Sequence, residues 1–210
     1  MKKYLVEFIG TFFLVFTVGM TVIPPGVGLF APFAIGASLM VMIFAGGHIS
    51  GGHFNPAVTF AVWLRGHCPR RDVIPYWIAQ VAAAALAASL MHLFKSDEAA
   101  QATVIGVKAA FAAEFIFTFA LAWVVLNTAA ATGTKDNAFY GLATGMTVMT
   151  GAYAVGGIFG GVGGVFNPAV AVGVSIMGLS TWGHLWLFLV SELAAAAAAA
   201  FAFRLATGND

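Results

Sequence analysis

The sequence predicts an all-α membrane protein: six transmembrane helices plus two re-entrant half-helices, arranged as an inverted internal repeat. Three observations lead there. The 210 residues are 61% hydrophobic and only 8% charged, with a mean hydropathy of +0.95, whereas soluble domains carry roughly a quarter charged residues. Six apolar stretches have about the 20 residues that a spanning helix requires. Two further apolar stretches are half that length, and each opens on Asn-Pro-Ala.

The same composition excludes other classes. Disorder requires low hydrophobicity. A net charge of +1 offers nothing to nucleic acid, so none is expected as a partner. The lone Cys68 allows no internal disulfide and no cysteine-based metal cluster, and neither a cofactor nor a metal is expected. Met-Lys-Lys followed by an apolar run resembles a secretory leader. That run reaches spanning length without a small-residue cleavage site, so it is expected to stay as the first span.

In chain order the expected spans are residues 4–23, 27–45, 73–94, 104–130, 138–155 and 181–206. The leftover apolar pieces are 55–64 and 167–177, each about half a bilayer long at 1.5 Å per residue. Charge supports this layout. With the N-terminus inside and six crossings, Lys2, Lys3, Arg65, Arg70, Arg71, Lys135 and Arg204 fall inside, while only Lys95 and Lys108 fall outside. This positive-inside bias would weaken if either half-length piece crossed fully. Both termini are therefore expected in the cytoplasm. The loop-poor form suggests a prokaryotic inner (plasma) membrane.

An internal repeat runs through the chain. "EFIGTFFLVF" at 7–16 resembles "EFIFTFALAW" at 114–123, an offset of 107 from Glu7 to Glu114. "GGHFNPAV" at 51–58 matches "GGVFNPAV" at 163–170, an offset of 112 from Asn55 to Asn167. Residues 1–103 thus form one repeat and 104–210 a second, each with three spans and one half-helix. Three is odd, so the second repeat is inverted, a plan that recurs in membrane transport proteins. The extra residues of the second repeat are expected in the glycine-rich run 156–164.

Asparagine is a strong N-cap, and proline suits the first helical turn because its missing N–H would be unpaired there anyway. Asn55-Pro56-Ala57 and Asn167-Pro168-Ala169 therefore each start a short helix. Non-helical backbone at membrane depth survives only inside protein or along a wet cavity, and Gly51, Gly52, Gly163 and Gly164 permit its tight turns. Inversion aims the two N-termini at each other near the bilayer centre, where each carries roughly half a positive charge. Cations and protons meet a barrier there, while the Asn55 and Asn167 amides donate to a passing oxygen. The residues describe the centre of a pore for neutral, hydrogen-bonding solutes.

These residues resemble the aquaporins, or major intrinsic proteins. "GHISGGHFNPAVT" at 47–59 is similar to the family's first signature, "FNPAV" at 166–170 to its second, and the contexts of Glu7 and Glu114 to its repeat starts. The resemblance spans essentially the whole chain. It implies a right-handed bundle with one pore per subunit, a homotetramer in the bilayer, and water with small uncharged solutes as cargo.

The resemblance also implies an outer selectivity filter. Its second-span member is Ile35 and its loop members are Gly164 and Val170. Its fifth-span member is Val155 on an ungapped count, with Gly151 or Ala152 as alternatives. The family usually has arginine where Val170 stands, and strict water channels tend to pair it with Phe and His. Their replacement by Ile35, Gly164 and Val170 predicts a wider, more apolar filter that admits glycerol, urea or metalloid hydroxides alongside water.

Glu7 and Glu114 are intramembrane carboxylates at matching repeat positions, where ionisable groups are functional by default. They are expected to accept hydrogen bonds from the irregular backbone before each half-helix, whose N–H groups otherwise lack partners. Glu192 has no assigned counterpart. His48 is placed at the cytoplasmic vestibule, and the spacing of His48 and His53 is poor for metal. A secondary transporter is the main rival, with only Glu7, Glu114 and Glu192 available to hold a coupling ion. An enzyme would need a nucleophile–base or metal constellation that the sequence does not supply.

Overall fold

The computed structural model describes residues 1–95, 102, 106–159 and 164–208. Eight helices carry the fold: α1 Lys2–Val22, α2 Ala31–Ser50, α3 Pro56–Leu64, α4 Arg70–Phe94, α5 Val107–Val125, α6 Tyr140–Val155, α7 Pro168–Ile176 and α8 Leu185–Thr207. A wider turn, Leu126–Ala130, prolongs α5. Five of these segments are long and apolar enough to cross a bilayer. The sixth, α6, has 16 residues and is about 24 Å long. Its first turn is capped by Asn137, whose Oδ1 accepts from the backbone N–H groups of Phe139 and Tyr140 at 2.9 and 2.8 Å.

The helices sort their residues by size rather than by polarity. Leu5, Ile9 and Phe13 of α1 face outward, while Glu7, Gly10, Thr11, Leu14 and Val15 face inward. The inner stripes of α4 and α8 are alanine: Ala83, Ala84, Ala87 and Ala88 on α4, and Ala195, Ala196, Ala199 and Ala200 on α8, all buried. In lipid, where apolar burial drives little association, small side chains allow close helix approach and full van der Waals contact.

The packing is symmetric under exchange of the two halves. α1 packs on α4 as α5 packs on α8, and α1 meets α2 as α5 meets α6. Each half-helix crosses over, α7 lying on α4 and α3 on α8. The symmetry axis passes between α2 and α6. A methyl added at Gly36 would sit 2.6 Å from the Gly145 carbonyl oxygen and 2.8 Å from Met149 Cβ, and one at Gly145 would meet Gly36 and Met40 equally closely. Here the repeat offset is 109, from Gly36 to Gly145 and from Met40 to Met149. The surplus of the second repeat is therefore split, two residues entering before Gly145 and three between Gly145 and Asn167. It does not sit wholly in the glycine-rich run, of which residues 160–163 lie outside the described set, as does the expected repeat boundary at 103/104.

One helix end differs from the expected span. α2 runs five residues past Ala45, because Gly46 and Gly47 stay helical and are closely packed against Val6 and Tyr140. It stops at Gly51, whose left-handed φ of 93° is open to glycine but costly for residues with a Cβ. The start of α1 and the end of α8 lie on one face. Lys3 and Tyr4 bind Asp72 at the start of α4, and Arg65 lies 4.8 Å from the centre of the Phe203 ring near the end of α8.

Candidate functional site: a pore centre between two half-helices

The two half-helices are nine residues each, about 13 Å long. Asn55 caps the first, its Oδ1 accepting from Ala57 N–H at 2.8 Å and Val58 N–H at 3.3 Å. Asn167 caps the second through Ala169 N–H at 3.0 Å. Pro56 and Pro168 occupy the first helical position, as local backbone chemistry requires.

The amide nitrogens then cross the symmetry axis. Asn55 Nδ2 donates to the carbonyl of Phe166 at 2.8 Å, and Asn167 Nδ2 donates to the carbonyl of Phe54 at 2.9 Å. Each re-entrant loop thereby clasps the other. One N–H of each amide is used in the clasp; the second remains for the cavity that both asparagines line. The clasp requires the carbonyls of Phe54 and Phe166 to point across the axis, which sets their φ at +46° and +51°. Such left-handed backbone costs a bulky residue about 1–3 kcal/mol and persists only when its surroundings enforce it.

Buried carboxylates do the enforcing. Glu7 takes four donors: Ser50 Oγ at 2.7 Å, His53 N at 3.0 Å, Phe54 N at 2.7 Å and Gln80 Nε2 at 2.8 Å. Glu114 takes Val165 N at 2.8 Å and Phe166 N at 2.7 Å. Both are fully buried. The loop N–H groups that cannot find helix partners in the membrane interior are thus paired with side chains from the first helix of each repeat.

Three cavities with shared lining residues lie about this point. With the side of Lys3 taken as the inner one, as the charge distribution leads one to expect, the outer cavity is lined by Gly28, Leu29, Pro32 and Tyr153, the central one by both asparagines, and the inner one by Lys3, Ser50, His67 and Cys68. Ala31, Pro32 and Ala152 belong to both the outer and central cavities, and His53 to both the central and inner ones. In the order outer, central, inner their volumes are about 420, 40 and 300 Å³, so the cavity that the asparagines line is the smallest of the three. In this measure a single water needs about 10–15 Å³.

Residues 1–203 match the family described as MIP, major intrinsic protein. The chain belongs to that family. It is an integral, multi-pass membrane channel and not an enzyme. It is 38% identical over its whole length, and the whole of the relative's, to the glycerol uptake facilitator protein-like 6 of Lactiplantibacillus plantarum. It is 35% identical to aquaporin NIP1-4 of Oryza sativa subsp. japonica, with 98% of this chain and 77% of that one aligned. Its fold is similar to that of the aquaglyceroporin from Plasmodium falciparum, at a TM-score of 0.74 and 21% identity, with 96% and 94% of the two chains covered.

In this major intrinsic protein the residues named for the filter occupy distinct places. Ile35, Gly164 and Val170 line the central cavity with Ala152. Val155 is buried one turn further along α6 and is not among the lining residues. Of the three fifth-span candidates, Ala152 is the one that lines this cavity. His48 projects from the outside of α2 and is exposed. His53 is the histidine that faces the path, held by its Nδ1 contact with Thr59 Oγ1 at 3.1 Å and by the Tyr76 ring, with centroids 5.2 Å apart.

The sequence reading also left one counterpart unassigned. Glu192 lies 112 residues after Gln80, the offset that relates Asn55 to Asn167. Both are fully buried on the last helix of their repeat. Gln80 supports the first loop through Glu7, and Glu192 supports the second by accepting Asn167 N–H at 2.9 Å. The signal was the alanine run that follows each of them, which low complexity made easy to pass over.

Proposed function

We propose that this channel conducts water and small uncharged solutes such as glycerol, urea or metalloid hydroxides passively, and excludes protons and ions. The observation that carries this reading is the waist, the small central cavity that the clasped asparagines line, with its apolar rim. Facing helix N-termini put positive potential where a cation would have to shed water. The free amide N–H groups donate to the oxygen of a solute, so a water held there has its oxygen committed as an acceptor and cannot relay a proton in both directions.

Solute breadth follows from the rim. Ile35, Ala152 and Val170 present aliphatic surface and Gly164 presents none. An arginine at 170 would bring five donors and a fixed charge and fill the opening, whereas valine leaves a wall suited to a carbon skeleton. The printed name of the Lactiplantibacillus relative, a glycerol uptake facilitator-like protein, agrees with this choice of cargo. The carboxylates do not favour an ion-coupled transporter, because Glu7 and Glu114 spend both oxygens on loop donors.

The same reading makes Asn55, Pro56, Ala57, Asn167, Pro168 and Ala169 the pore centre, Ile35, Ala152, Gly164 and Val170 the filter, and Glu7 and Glu114 the supports of the loops. It places the chain in a prokaryotic inner (plasma) membrane with both termini in the cytoplasm, and four copies in the working assembly.

Stopped-flow light scattering on proteoliposomes tests it. Wild-type protein passes water, glycerol and urea without a proton leak, and Val170→Arg lowers glycerol and urea flux by at least about tenfold while water still passes, a discrimination of the size that pocket shape and polar contacts provide. A wild-type protein that conducts water and rejects the larger solutes would refute the filter reading.

A further inference from the structure

The two repeats support their loops with unlike residues at one equivalent position, and the difference has a chemical consequence. In the first repeat Gln80 Nε2 donates to Glu7 Oε2 at 2.8 Å. In the second repeat the residue at that place is Glu192, which accepts from Asn167 N–H, the backbone donor next to the Val165 and Phe166 N–H groups that Glu114 holds, so that the two carboxyl groups stand side by side. A carboxylate has no proton to donate, so two ionised carboxylates there would repel across a dry helix interface. The two groups are fully buried, where unpaired charge is heavily penalised. Glu114 already has its oxygens on Val165 and Phe166 N–H, and Glu192 Oε1 accepts from Asn167 N–H. One oxygen is left over. Glu192 Oε2 is buried without a donor.

We propose that Glu192 is a neutral carboxylic acid at neutral pH, its Oε2–H donating to Glu114, so that the pair shares one proton and carries one negative charge. The acid O–H then takes the part that the Gln80 amide plays toward Glu7, and both loops are held by the same pattern of one carboxylate and one donor. Two like carboxyl groups sharing a site do not both ionise readily, which is the general physics of such pairs. Glu192 is a positioning residue. Through Asn167 N–H it fixes the backbone that aims Asn167 Nδ2 at Phe54 and into the waist.

Among the described residues no other charge stands beside the pair. α8 is packed by α3, α5, α7, the Leu126–Ala130 turn and the Trp182–His184 turn that precedes it, whose His184 pairs with Thr181 about two turns of helix from Glu192. Among the described residues, α3, α7 and the Leu126–Ala130 turn contribute no titratable side chain, and α5 contributes Glu114 and the exposed Lys108 at its far end. Arg65, after α3, lies over the Phe203 ring, three turns of α8 from Glu192. Loss of the shared proton at alkaline pH therefore drives the carboxylates apart and loosens the second loop, while the first loop, built on Gln80, is unaffected. The inference rests on the pore reading only for its permeability readout.

Three measurements on the full-length protein in proteoliposomes test it. Infrared difference spectra of wild type at neutral pH contain a protonated-carboxyl C=O band that Glu192→Gln removes. Glu192→Gln keeps the wild-type Tm and its water permeability within about twofold, and abolishes the alkaline loss of both that wild type displays. Glu192→Ala orphans Asn167 N–H and lowers Tm by on the order of 5 °C. Gln80→Glu, which builds a second pair, adds alkaline sensitivity to the first loop. Absence of the band in wild type overturns the proposal, as does a Glu192→Gln protein as impaired as Glu192→Ala. If the infrared and thermal results hold but no solute flux is found in any variant, the pore reading fails and the proton assignment stands.

Discussion

Removing the Glu7 carboxylate should unlatch the first loop and, through it, the second. Glu7 is fully buried and takes four donors. Two of them have alternatives when Glu7 becomes Ala. Gln80 Nε2 keeps Thr59 Oγ1 at 3.1 Å, and the Ser50 hydroxyl can turn to a carbonyl of its own helix. The backbone N–H groups of His53 and Phe54 have none, since the loop is fixed by Gly51 and Gly52 on one side and by the Asn55 cap on the other. A buried donor left unpaired costs about 1–3 kcal/mol, so the two together cost about 2–6 kcal/mol before any cavity is counted. Phe54, held at φ +46° largely by that bond, then relaxes and withdraws its carbonyl from Asn167 Nδ2, a partner 113 residues away. For a chain of this length 1 kcal/mol shifts Tm by roughly 2–4 °C, so Glu7→Ala should melt on the order of 10 °C lower. Tryptophan fluorescence during heating in detergent measures the loss, and stopped-flow water permeability measures the loosened waist. Glu7→Gln should fall between, since one of its two former acceptor positions becomes a donor facing an N–H. A Glu7→Ala protein with wild-type Tm and permeability would show that the carboxylate does not hold the loop.

Two other perturbations probe different parts of the fold. Gly145→Val forces a side chain against the Gly36 backbone on the symmetry axis; overpacking of this kind costs about 1–3 kcal/mol, so Tm and water permeability should both drop, and an unchanged Tm would mean that α2 and α6 are not in contact there. Cys68 lies outside the spans on the inner mouth, and burial, seconded by nearby Asp72, pushes its thiol above the ordinary range. Because the thiolate is the reactive form, maleimide labelling should be slow at about pH 7 and accelerate steadily as pH rises; a rate independent of pH would contradict that environment.

Much of this protein follows from chemistry that acts over a few residues. Composition decides membrane residence, because a chain so poor in charge has no other solvent to fold in. Asn55-Pro56 and Asn167-Pro168 start helices wherever they are placed, since cap and ring act on their own backbone. The repeat is legible because related residues stand at nearly constant offsets. Even the Gln80–Glu192 correspondence was present in the letters, masked by alanine.

What tertiary structure decided is each feature that depends on which segments meet. The asparagine clasp joins residues 111 and 113 positions apart, and no local preference aims an amide at a carbonyl so distant. Ala152 rather than Val155 lines the central cavity because it stands two helical turns beyond Gly145, on the face that packs against Gly36. His53 rather than His48 faces it because Gly51 reverses the chain between them. Sequence places polar groups in an oily chain; which of them pair with one another and which face the path is a matter of how the inverted halves dock, since in a dry interior each donor must be met by whatever acceptor the other half brings.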